Sequence, residues 1–189
     1  GVASGNGSLI KTGSGTLTIE SGTNNQIFVD ADNSATFSGD VVITGGNANL
    51  TVKSQSLTLD SGTANLTLND GGTLQANGNI GLDNRSIIVS GTGGTIQTGN
   101  RNVAMVSSAL SGSAPLTISG GGSASINTAG NTHSGGVLLD DVQMNLFTPD
   151  ADALGVGTIT LDNEAIIKNS DNLPIINNDV VIGAGGGNL

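Results

Sequence analysis

The chain has 189 residues, enough for one domain or one stretch of a longer repeat array. It holds 31 Gly and no Cys, Trp or Tyr, and aromatics make up 2% of it. That excludes a disulfide framework, a Cys-ligated metal and a core built on aromatic area, and leaves a narrow core of Leu, Ile, Val and Ala. Five Lys and Arg against a formal net charge of −10 exclude the basic stripe that nucleic acid requires and disfavour docking on anionic lipid.

Strand-like runs follow one another along the whole chain. In order they are Thr16–Glu20, Gln26–Val29, Asp40–Thr44, Asn49–Lys53, Ser56–Leu59, Asn65–Leu68, Arg85–Val89 and Thr95–Thr98. Asn102–Val106, Leu116–Ile118, Val137–Leu139, Thr158–Leu161, Ala165–Ile167 and Asp179–Ile182 complete the series. Most alternate an aliphatic residue with Thr or Ser, the period of a strand with one buried face. Gly, Asn, Asp and Ser close nearly every run. Positive mean hydropathy and the recurrence of β-branched residues argue against disorder, despite the Gly, Ser and Asn content. No helix is expected beyond one short turn at Asp150–Leu154, after Pro149.

Internal repeats separate a solenoid from a sandwich. Thr16-Leu-Thr-Ile-Glu-Ser-Gly-Thr23 returns 40 residues later as Ser56-Leu-Thr-Leu-Asp-Ser-Gly-Thr63. Leu82-Asp-Asn-Arg-Ser-Ile-Ile88 returns 79 residues later as Leu161-Asp-Asn-Glu-Ala-Ile-Ile167. These spacings predict a coil of about 20 residues and a parallel β-helix of about nine coils across residues 1–189, with Leu57, Leu66 and Ile118 facing inward. The register over 82–160 starts again at 161 and is incomplete at 189, as expected of part of a longer repeat protein. The opening Gly1–Ile10 has neither the basic start nor the apolar run of a signal peptide, and no segment approaches the length of a membrane helix.

The stretch Gly112–Leu161 carries a resemblance. Pro115-Leu-Thr-Ile-Ser119 is followed by Asn131-Thr-His-Ser-Gly-Gly136, then Ala153-Leu-Gly155 and Thr158-Ile-Thr-Leu161. The series resembles the passenger-associated transport repeat of bacterial autotransporters, with His133 where that family usually has Tyr and no Thr after Gly136. The resemblance implies a right-handed parallel β-helix, carried on a secreted passenger like those of haemagglutinin-like adhesins.

Motifs for chemistry are sparse. His133 is the single His and reads as a turn residue in a surface loop, with Ser134 beside it only in sequence. Asp30/Asp32, Asp140/Asp141 and Asp150/Asp152 are close carboxylate pairs. Such pairs serve general acid/base work or calcium in β-helix lyases and hydrolases, and cap their own turns otherwise. Gly91–Gly94 and Gly120–Gly122 lack the Asp of the calcium nonapeptide, and no phosphate loop is present. The Thr16/Thr18 and Thr158/Thr160 alternation is similar to that of ice-binding solenoids, but the outward positions vary among Thr, Asn, Lys and Gln. The reading is therefore a non-enzymatic structural or adhesive segment of a secreted or cell-surface protein, with no catalytic, cofactor or metal residue assigned. A host surface, a glycan or other copies of itself are its expected partners. A polysaccharide lyase or glycoside hydrolase and a self-assembling extracellular filament are the alternatives.

Overall fold

The computed structural model describes residues 8–13, 15–20, 40–45, 48–53, 56–58, 65–82, 85–105, 108–147, 151–169 and 176–189. Every regular element among them is a short strand, and every pairing between strands is parallel. The strands form three sheets of five, eight and seven. From Val41 onward, each turn of the chain lays one strand on the second sheet and then one on the third. Five turns also place a strand in the first sheet: Leu9–Thr12, Val41–Thr44, Asn65–Asn69, Ser86–Ser90 and Leu110–Gly112. Among the described residues, the three turns that follow carry strands only in the second and third sheets. The chain is an all-β parallel solenoid.

Alternation in the sequence becomes inside and outside. In the second sheet Leu50, Leu74, Ile96, Ile118, Leu139 and Leu161 pair in register from rung to rung. All six are solvent-free. The rungs at either end break the pattern: Leu17 is 36% exposed and Ile182 is 52% exposed. Val41, Leu66, Ile87 and Leu110 make the matching ladder of the first sheet, and Ile80, Val103, Ala124, Met144 and Ile167 that of the third. Full burial of an aliphatic side chain contributes roughly 1.5–3 kcal/mol, so the ladders dominate stability. Leu66 and Ile118 face inward as expected; the Leu57 side chain lies outside what is described. Where a strand of the second sheet begins close to the first, Gly replaces the aliphatic: a Cβ at Gly94 would lie 2.4 Å from that of Leu68.

The coil is longer than the sequence spacings suggested. Hydrogen bonds between adjacent rungs join residues 21, 22, 23 and 24 apart. With rungs of that length, eight strands fill the longest sheet where about nine coils were expected. The two sequence repeats also do not mark equivalent positions. Leu17 lies on the second sheet and Leu57 on the third; Ile87 lies on the first sheet and Ile166 on the third. The repeated octapeptide thus supplies a strand to the second sheet in one copy and to the third in the other. Strands at Gly72–Ala76, Asn79–Gly81 and Ser123–Ile126 escaped the sequence reading because Gly, Ala and Ser blur their alternation. The Gln26–Val29 run lies outside the described residues. The short turn expected near Asp150 is present at residues 151–154, closed by Gly155 N–H donating to the Asp152 carbonyl (2.8 Å).

Candidate functional site

The corner between the second and third sheets gathers the acidic residues. Strands Val137–Asp140 and Ile159–Asp162 are neighbours, and their register sets Asp140 against Asp162. Like charges directly opposed across a pair of strands repel. The turn that follows separates them. Asn163 donates its side-chain amide to Asp140 Oδ1 (2.6 Å). Asp162 Oδ1 accepts from the Asn163 and Gly185 backbone N–H groups at 3.0 and 2.6 Å. Both carboxylates therefore act as turn caps, as short Asp side chains do.

The backbone at this corner is left-handed. Asp141, Asn163 and Glu164 have φ of 51°, 49° and 61°. Asp and Asn tolerate that region; Glu rarely enters it. The turns are held by Asp141 N–H to the Asp162 carbonyl (3.2 Å) and Glu164 N–H to the Gly185 carbonyl (3.1 Å). Asp140, Asp141, Asn163 and Glu164 line an open cleft of about 600 Å³ with Ser119 and Gly120. Further along the same corner a second cleft of about 460 Å³ is lined by Asn77, Asn100 and Arg101. The two clefts differ in charge: Arg101 lines one, and Asp140, Asp141 and Glu164 line the other. Among the described residues no group of three His, Cys, Asp or Glu is arranged to hold a metal ion.

Of the three acidic pairs picked out in the sequence, only Asp140/Asp141 falls in this cleft. Asp30, Asp32 and Asp150 lie outside the described residues, and Asp152 is half-buried elsewhere. Asp162 and Glu164 were missed. They are one rung away from Asp140 and more than 20 residues away in sequence, so only the rung length brings them together.

His133 is a correction. It is fully buried, not an exposed loop residue. Its Nε2 donates to the Gly136 carbonyl at 3.1 Å, and its Nδ1 has no partner. Asn131 beside it is also buried. It accepts from Leu110 N–H (2.7 Å) and donates to the Ala153 and Thr128 carbonyls (2.6 and 3.2 Å). The segment continues the side of the first sheet without forming a strand: Thr132 N–H reaches the Leu110 carbonyl and Ser134 N–H the Gly112 carbonyl. On the next rung Val156 N–H donates to the His133 carbonyl (2.7 Å). This contact fixes Gly155, whose φ is +83° and whose Cβ would stand 2.2 Å from that carbonyl. The Asn-Thr-His-Ser-Gly-Gly and Ala-Leu-Gly pieces are thus packing parts of adjacent rungs, with Ala153 and Leu154 fully buried.

No family model, curated protein or solved structure matches the chain.

Proposed function

We propose that the chain is a structural or adhesive segment of a secreted or cell-surface bacterial protein, a stalk or fibre like an autotransporter passenger. The observation that carries this reading is the unbroken aliphatic ladder from Leu50 to Leu161, solvent-free on six successive rungs. Such a core is sustained by nearest neighbours alone and extends without limit by adding rungs. The outward positions are then free to carry contacts, and much of them is small and uncharged. Glycans and host surfaces suit such faces, and so do other copies of the chain.

The cleft formed by Asp140, Asp141 and Glu164 favours a second reading, a glycan lyase or hydrolase. One screen separates the two. The labelled chain is incubated with an array of bacterial, plant and host glycans and with whole cells, and both retention and release of reducing ends are followed. Retention without turnover, unchanged in Asp141→Asn, is the outcome expected of an adhesive segment. Turnover that disappears in Asp141→Asn and Glu164→Gln would replace it with the enzyme. Electron microscopy of the same sample with and without calcium distinguishes isolated rods from regular filaments, the outcome expected of self-assembly.

A further inference from the structure

The second sheet puts a column of threonines on its outer face that the sequence order conceals. Reading the register outward, Asn49 pairs with Thr73, Thr73 with Thr95 and Thr95 with Thr117. Leu138, Thr160 and Val181 continue the column. Three consecutive rungs therefore carry Thr at one position, and all seven of these positions are uncharged. The parallel column beside it runs Thr51, Gln75, Gln97 and Ser119 before the first carboxylate at Asp140. Thr73, Thr95, Thr117 and Thr160 are half-buried.

From this arrangement we infer that the outer face of the second sheet binds the surface of ice. Strand stacking repeats each hydroxyl and each methyl about every 4.8 Å along the solenoid. The β-branched side chain is restricted at χ1, so little rotamer freedom is lost when the array is fixed. Each hydroxyl anchors a water while the adjacent methyl sits over apolar space in the water layer. A neutral lattice needs no countercharge, and this stretch offers none. Beside the column, Thr51 Oγ1 donates to the Gln75 side-chain oxygen at 2.9 Å, with the Asn49 side-chain oxygen at 3.1 Å. A sugar-stacking face would instead require aromatic rings, and the chain has no Trp or Tyr.

The test is slow freezing of a dilute solution of the chain, with the amount retained in the ice measured, alongside an ice-recrystallisation assay. Partition into ice and arrest of crystal coarsening are expected for the unaltered chain. Both should be lost in Thr95→Lys/Thr117→Lys and in the milder Thr95→Ala/Thr117→Ala, with circular dichroism and melting checked for each. Both should persist in Asn102→Lys, which alters the third sheet. Exclusion of the unaltered chain from ice would overturn the inference. So would partition that survives the Thr variants, or retention by an insoluble neutral polysaccharide with none by ice.

Discussion

Two halves of the solenoid close the same side in different ways. From Val41 to Gly112 the first sheet is a regular ladder of parallel strands, whose outer residues form a polar chain: Asn69 donates to Thr44 Oγ1 and accepts from Ser90 Oγ, each at 2.9 Å. Beyond Gly112 no further strand of this sheet is formed among the described residues, and side-chain amides, one buried and one half-buried, bridge the rungs instead. Asn131 bonds the rungs before and after it, and Asn178 donates to the Gly155 and Gly157 carbonyls at 2.8 and 2.7 Å. The second sheet runs through both halves without interruption. A solenoid therefore needs continuous aliphatic ladders, while the backbone on one side can be satisfied either by strand pairing or by an internal amide of the right length.

The largest expected break in this comparison comes from Asn131→Leu. It removes the amide and leaves the Leu110 N–H and the Ala153 carbonyl unpaired inside, for a loss of about 2–6 kcal/mol in chemical denaturation. Next comes the shared ladder. Ile118→Ala and Leu161→Ala should each cost about 2–5 kcal/mol, alike in both halves, because the same packing operates in each. Near-native melting of both would mean the inward face is wrongly placed. Gly155→Ala should cost roughly 1–3 kcal/mol from its left-handed backbone, with a further loss as His133 is displaced. Asn69→Ala sharpens the contrast from the other side. Its ladder lies outside a complete set of strand pairs, so the loss should stay near about 0.5–1.5 kcal/mol. A loss as large as that of Asn131→Leu would abolish the distinction between the halves.

The alternation of aliphatic with small polar residues made the strands and their inner faces legible, and Leu66 and Ile118 sit where it placed them. Rung length was not legible. Turn length varies from corner to corner, and one strand sequence serves different sides, so the match between Thr16–Thr23 and Ser56–Thr63 reports shared local chemistry and not shared position. The same ignorance of register hid the column Thr73–Thr95–Thr117 and the meeting of Asp140 with Asp162 and Glu164. His133 misled for a related reason. Gly, Asn, Thr and Ser around it have the composition of a surface turn, and only stacking under Gly155 and Val156 buries it.

Register is the claim on which the rest depends, and the absence of Cys allows a direct test. Thr95→Cys with Thr117→Cys places two thiols on adjacent rungs, on paired backbones about 4.8 Å apart and within disulfide reach. Thr18→Cys with Thr58→Cys places them at matching points of the 40-residue sequence repeat, on different sheets. Mild oxidation of the folded chain should cross-link the first pair rapidly within one molecule and leave the second pair reduced. Rapid closure of the second pair, with the first remaining free, would contradict the rung length and the three-sheet architecture built on it.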